Sequence, residues 1–180
     1  MAFEPAYADE LAVIMRWALA HLQEPDGSAV YLRLTTRQIE QPKRDITPAG
    51  VIEGGYWLQQ PTPDAELALV FAGAVAPDVL AAAEAMADDL PGMGGLAVTS
   101  ADRLHAAWVA NGDESHIARL LAGLPNDAAL VTVLDGHPLT LSWLGSVHGQ
   151  RLAALGVEAF GQSADIPDLS HHVAVVTGAN

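Results

Sequence analysis

From Tyr56 onward the chain alternates short, unbroken apolar runs with longer segments of helical period, and this alternation constrains the fold more than any other feature. Glu66 to Gly73 (ELALVFAG) and Leu130 to Leu134 (LVTVL) read as strands buried on both faces, closed by Gly73 and by the turn pair Asp135-Gly136. Between them Val79, Ala83, Met86 and Leu90 share one helical face, with Asp78, Glu84 and Asp88 left to solvent, until Pro91-Gly92 stops the helix. Leu96 to Thr99 reads as a short strand, and Ser100 is expected to cap a helix that carries Leu104, Ala107 and Trp108 and ends at Asn111-Gly112. Asp113 is placed as the cap of a further helix with Ile117, Leu120, Leu121 and Leu124 on one face, closed by Pro125. A helix over Leu139 to Leu152 then precedes a strand at Val157 to Phe160. Parallel neighbours need crossover connections and helices supply them, so the fold class is α/β, a mostly parallel open sheet flanked by helices.

The first part of the chain is organised differently. Leu11, Ile14, Met15, Ala18 and Leu22 gather on one side of a helix, which leaves Asp9, Glu10, Arg16 and Gln23 to water. Glu24-Pro25-Asp26-Gly27 breaks that helix, and Ser28 to Thr36 has the β-branched and aromatic residues of a strand. Arg37 to Gly55 has no sustained period and reads as a linker or surface crossing. No repeat of solenoid period is present.

Composition excludes several classes of function. Apolar residues make up 51% of the 180 and charged residues 17%, which argues against general disorder. Eight Lys and Arg against 22 Asp and Glu, a net charge of -14, argue against nucleic acid and anionic lipid as partners, because their phosphates need neutralising. The early helical stretch is interrupted by Glu10, Arg16 and His21, so no membrane span is expected, and a cytoplasmic location is the default. The absence of cysteine removes disulfides and thiolate zinc sites.

Motifs that suggest chemistry have simpler readings. Gly92-Met93-Gly94-Gly95 lacks the spacing and the lysine of a phosphate loop and precedes a strand, so it is a turn. Gly145-Ser146-Val147-His148-Gly149 has its serine one place early for a nucleophile elbow and no strand feeding it, which leaves a packed helical surface. Asp135 with His137, and the pair His171-His172, match no metal-ligand array, so no metal site is expected. Asp88-Asp89 and Asp113-Glu114 fit a solvated helix face and a helix start.

Glu4-Pro5-Ala6-Tyr7-Ala8-Asp9-Glu10-Leu11-Ala12-Val13-Ile14-Met15, followed by Val30-Tyr31-Leu32-Arg33-Leu34-Thr35-Thr36, resembles the end of the pyrimidine-binding domain of the homodimeric type of pyruvate dehydrogenase decarboxylating component, in the transketolase superfamily. Gly55-Tyr56, Val98-Thr99-Ser100 with Leu104 and Trp108, His116-Ile117-Ala118 and Leu155 to Ser163 occur in the order of that family's C-terminal domain, and the resemblance runs from Glu4 to Asp168. It implies residues 1–36 as the terminal helix and strand of a pyrimidine-binding-type domain, 37–55 as a linker and 56–180 as a transketolase C-terminal-like domain. It further implies a parent enzyme that uses thiamine diphosphate and magnesium, decarboxylates a 2-oxo acid, works as a homodimer and hands its acyl group to a lipoyl acyltransferase.

Several departures bear on this chain's own role. Gly112-Asp113-Glu114 lacks the last glycine of the family's diphosphate motif and has no suitably spaced asparagine, and the activating glutamate of the family would lie before Met1. The family's histidine after the paired threonines is replaced by Arg37-Gln38-Ile39-Glu40-Gln41. His171-His172 is similar to a pair in the family, but Val173 to Asn180 is a shorter ending. No catalytic, cofactor-binding or metal residue is therefore assigned, and the remaining domains of the parent are the expected partners. Ligands of open parallel sheets meet the carboxyl ends of the strands, so Asp135, His137, Gln162, Ser163 and Asp165 are the candidates for contacts at an interface or active-site entrance. Two other readings stand beside this one: a transketolase or another related enzyme of the superfamily, and a separate acidic module that binds a protein or small molecule.

Overall fold

The structure, a computed structural model, describes residues 1–159. Its centre is a five-stranded sheet. The strands are β3 (Gly55–Gln59), β4 (Leu67–Ala72), β5 (Gly94–Val98), β6 (Ala129–Leu134) and β7 (Leu152–Leu155), in the spatial order β3-β5-β4-β6-β7. All neighbours are parallel except β3, which runs antiparallel to β5 at one edge.

Strand periodicity divides the core between the two faces. Ala68, Val70 and Ala72 of β4 join Leu96, Val98 and Leu130 beneath α4 (Ala101–Asn111) and α5 (His116–Leu121). Leu69 and Phe71 point the other way, toward α1 (Ala8–His21), α2 (Pro48–Glu53) and α3 (Ala76–Met86). The alternation read from the sequence is thus a doubly covered, mostly parallel sheet. In the β3 region, Gly54 ends α2 at φ +112, and a Cβ there would lie 2.6 Å from the Ser100 carbonyl oxygen.

Ahead of the sheet, β1 (Ala2–Phe3) and β2 (Tyr31–Leu32) pair in parallel around α1, which makes a small βαβ unit. The strand expected over Ser28 to Thr36 is only these two residues long. The linker region is not wholly irregular, since α2 lies within it, started by Pro48 at its first turn. The helix expected over Leu139 to Leu152 is two short ones, α6 (Leu139–Ser142) and α7 (Gly145–His148), ended by Gly149 at φ +77. The strand expected at Val157 is β7, five residues earlier in the chain.

Two caps also differ from expectation. Ser100 occupies the N-cap of α4 but accepts no amide there; its Oγ lies 2.5 Å from both the Ala2 carbonyl oxygen and Asp102 Oδ1, and its single proton donates to one of them at a time, tying β1 to the end of β5. Asp113 lies in a short turn, and Ser115 caps α5 by accepting from the Ala118 N–H at 3.3 Å.

Candidate functional site

The connections after β4 and β6 leave on opposite faces of the sheet: α3 packs with Leu69 and Phe71, whereas α6 and α7 pack with Val70 and Leu130. Ala72 and Leu134 are register partners at the carboxyl ends of these two strands. A crevice opens where such connections diverge, and open α/β sheets bind ligands there. In this chain its own residues fill it. Glu4, just past β1, accepts from Arg33 Nη1 at 2.8 Å, and Arg33 reaches on to Asp135, with Nη2 to Oδ2 at 3.1 Å and Nη1 to the backbone oxygen. Gly73 permits this close approach. It sits at φ +63, and a Cβ on it would fall 2.5 Å from Glu4 Oε1.

The electrostatics of the plug are mixed. Burial raises the Glu4 carboxyl above the ordinary glutamate range; the Arg33 charge and hydrogen bond pull it back, and the Asp135 charge pushes the same way as burial. Two cavities flank it. One of 230 Å³ lies between Glu4, Arg33, Thr36, Gly73 and Asp135, and one of 190 Å³ between Phe3, Tyr31, Ala72, Ser100 and Leu134.

Of the residues singled out from the sequence, Asp135 lies in this crevice. His137 does not join the Arg33 network; its exposed ring accepts the Leu139 N–H at 3.3 Å through Nδ1 at the start of α6. Gln162, Ser163 and Asp165 lie outside the described residues. Glu4 and Arg33 were missed. The available signal was an arginine in the middle of an otherwise apolar, β-branched run.

A second polar cluster lies on the other face. Glu10, placed in water by the sequence reading, is fully buried. Its Oε2 accepts the Ala6 and Tyr7 amides at 2.7 and 3.0 Å, while Oε1 accepts the Tyr56 hydroxyl and Arg44 Nη2, the latter at 3.2 Å. Arg44 also grips Asp9 through Nε (3.0 Å) and Nη2 (2.8 Å), and its guanidinium sits 4.0 Å over the Tyr7 ring. Burial, then the charge of Glu10 and the bond to it, push the Tyr56 phenol well above the ordinary tyrosine range. Burial opposes ionisation of Asp9 too, but the Arg44 hydrogen bonds and backbone amides prevail and hold its carboxyl below the usual range. This cluster joins α1, the 37–47 crossing and β3.

The segment compared above with a diphosphate motif lies at the surface. Gly112, Asp113 and Glu114 form an exposed turn between α4 and α5, and among the described residues no three His, Asp or Glu side chains gather to hold a metal. The Arg37 to Gln41 crossing is tied to the helices it passes: Arg37 pairs with Asp78 (2.5 and 3.0 Å), and Gln41 Oε1 accepts the Ala8 N–H at 2.8 Å.

The outer side of the βαβ unit is apolar. Met15, Leu19 and Leu22 follow one another along α1 and are exposed, Leu19 by 60%, and Tyr31 of β2 is exposed by 63%. The two-residue parallel pair β1–β2 has no further strand beside it among the described residues. No helix among the described residues is long and apolar enough to cross a membrane.

Compared with known proteins, the chain matches no family model and no curated protein. Among solved structures it is similar to the transketolase from Leishmania mexicana, with a TM-score of 0.63 and 23% identity over 91% of this chain and 21% of that one. It is also similar to a transketolase mutant from Pichia stipitis, with a TM-score of 0.60 and 18% identity over 90% of this chain and 21% of that one. The chain therefore has the fold of a portion of transketolase, and it spans about a fifth of the length of these chains.

Proposed function

We propose that this chain is the C-terminal structural portion of a thiamine diphosphate-dependent 2-oxo acid dehydrogenase of the pyruvate dehydrogenase type, carrying the last βαβ unit of the preceding domain and no catalytic group of its own. The observation that carries this reading is the exposed Met15, Leu19 and Leu22 stripe beside a two-stranded parallel pair. Parallel strands occur almost only where both faces are covered, and a lone pair of strands is marginal in water. An apolar stripe of this kind marks a surface made to be covered, and the occupants are the remaining domains of the parent. The plugged crevice supports the same role, because the place where the fold binds ligands is closed by Glu4 and Arg33. In the parent this portion shapes a homodimer and borders the entrance through which a lipoyl acyltransferase delivers its carrier.

The test is physical. Sedimentation of the isolated chain is expected to show concentration-dependent association, abolished in the Met15→Glu, Leu19→Glu variant with folding stability unchanged within about 0.5 kcal/mol. A wild-type chain that stays monomeric at every concentration would show that the stripe needs no cover. Isothermal titration with thiamine diphosphate and magnesium is expected to give no binding heat, and micromolar affinity would overturn the non-catalytic assignment.

A second reading, the same portion of a transketolase, is favoured by the solved structures of similar fold and by Arg37 to Gln41 standing where the pyruvate dehydrogenase family has its histidine. Assay of the parent polypeptide with 2-oxo acids and with sugar phosphates separates the two.

A further inference from the structure

A cavity of 440 Å³ lies away from the strand-end crevice, between the start of β1, the end of α2, and the outer side of α4 with its turn into α5. Its size falls in the range of small-molecule sites, about 300–1,000 Å³. Two guanidinium groups line it, Arg103 and Arg119. In a chain of net charge -14, two arginines on the wall of one cavity concentrate positive charge locally. Arg33, Arg37 and Arg44 all have carboxylate partners, whereas among the described residues neither Arg103 nor Arg119 has one within 4.0 Å. Arg103 is held by aromatic rings instead, 4.9 Å from the centre of Trp17 and 5.8 Å from that of Phe3; its Nη1 meets Met1 Sδ at 2.7 Å, and its buried Nε has no hydrogen-bond partner among the described residues. Arg119 makes only a backbone contact, from Nη1 to the Glu114 oxygen.

The other polar groups on the wall are largely committed. Asp102 accepts the Ala2 and Arg103 amides, both at 2.9 Å, and its charge, with that of Glu53, acts on Arg103. His116 uses Nδ1 on Glu53 at 3.0 Å and Nε2 on the Gly55 oxygen at 2.7 Å, and Asn111 donates to Ala107 at 3.0 Å. The groups able to grip an oxyanion are two planar forks whose geometry matches a carboxylate or phosphate, and they share the wall with the carboxylates of Glu53, Asp102 and Glu114.

We propose that this cavity is a binding site for a small molecule bearing a compact oxyanion, held between Arg103 and Arg119. The site does not depend on the role proposed for the chain above. Amide chemical shifts of the full chain, titrated with inorganic phosphate and separately with succinate against sodium chloride of matched ionic strength, test it. Saturable shifts confined to Asn111 through His116 and the start of α4 are expected, with affinity in the millimolar range for these bare probes. Saturation by phosphate alone assigns a phosphate head group, and saturation by succinate alone assigns a carboxylate. Arg119→Gln, an exposed change that leaves the fold intact, is expected to weaken binding about tenfold. Arg103→Lys keeps the charge over Trp17 but loses the fork and should also weaken it, while Glu114→Gln should tighten it. Shifts no larger than those with sodium chloride, or a titration unchanged by Arg119→Gln, would overturn the proposal.

Discussion

Replacing Tyr56 with phenylalanine removes one hydrogen-bond donor from a fully buried carboxylate and little else. The ring stays in the same apolar cluster with Tyr7, Ile14 and Val51, so no cavity is created. Glu10 keeps its two amide donors and Arg44. The loss is then that of one hydrogen bond to a buried charged group, about 1.5–3 kcal/mol. For a chain of this size a loss of about 2 kcal/mol lowers Tm by roughly 4–8 °C. Urea unfolding should show a lower midpoint with an unchanged slope, because the surface exposed on unfolding is the same. Tyr31→Phe, at an exposed hydroxyl, serves as the control and should stay within about 0.5 kcal/mol. Alkaline pH gives an independent reading. The Tyr56 phenol titrates higher in the folded chain than in the unfolded one, so its contribution is complete below the ordinary tyrosine pKa of about 10 and is lost as pH rises beyond it. Tyr56→Phe should flatten that decline. A variant as stable as the Tyr31→Phe control would mean that Glu10 does not rely on the hydroxyl, and the reading of the cluster as the joint between the βαβ unit and the sheet would fail.

Gly73→Ala should cost at least about 1–2 kcal/mol from the left-handed backbone alone, and more from collision with Glu4. Adding Glu4→Ala should recover the second part and not the first, as measured by urea midpoints in a double-mutant cycle. Glu4 itself titrates higher in the folded chain than in the unfolded one, so stability should fall as pH rises from the ordinary glutamate value through the raised one. Glu4→Gln should remove that slope in midpoints taken across mildly acidic pH.

Much of the sheet was legible because β4 and β6 are unbroken apolar runs closed by turn residues, a pattern that local chemistry decides. The first helix was legible as a helix and only partly in its orientation. Periodicity chose the side with Leu11, Ile14, Met15, Ala18 and Leu22; the structure buries Ile14 and Ala18 as expected, but exposes Met15 and Leu22 and buries Glu10 in their place. A buried glutamate is stable only with its donors, and two of them come from residues 34 and 46 positions away in the chain. No window of sequence contains that information. Asp113 and Ser115 are both plausible caps two residues apart, and the choice between them rests on where the turn after Gly112 delivers the chain. At the crevice, Asp135 was readable from its place after a strand, whereas Arg33 became meaningful only when β2 was folded against that strand end.

The distribution of basic residues explains what holds the two parts of the chain together. Arg33, Arg37, Lys43 and Arg44, four of the chain's eight basic residues, lie in the stretch that crosses from the βαβ unit to the sheet. Three of them pair with carboxylates on the elements they pass, so an acidic protein has placed its cations along its least regular segment. They do not contribute equally. The Arg33 and Arg37 side chains are 41% and 49% exposed, and pairs of that kind contribute about 0–1 kcal/mol each and weaken with salt. Arg44 is 11% exposed and faces a carboxylate that is fully buried, where losing one partner leaves the other uncompensated. Burial lowers its tendency to stay charged, yet the Asp9 hydrogen bond and the surrounding oxygens raise it further, so the guanidinium stays charged throughout. The crossing is therefore pinned at one buried point and merely guided at two exposed ones. A joint built this way concentrates the cost of parting the βαβ unit from the sheet at Arg44, which bonds to Asp9 and Glu10 of α1 while Glu10 in turn accepts from Tyr56 of β3.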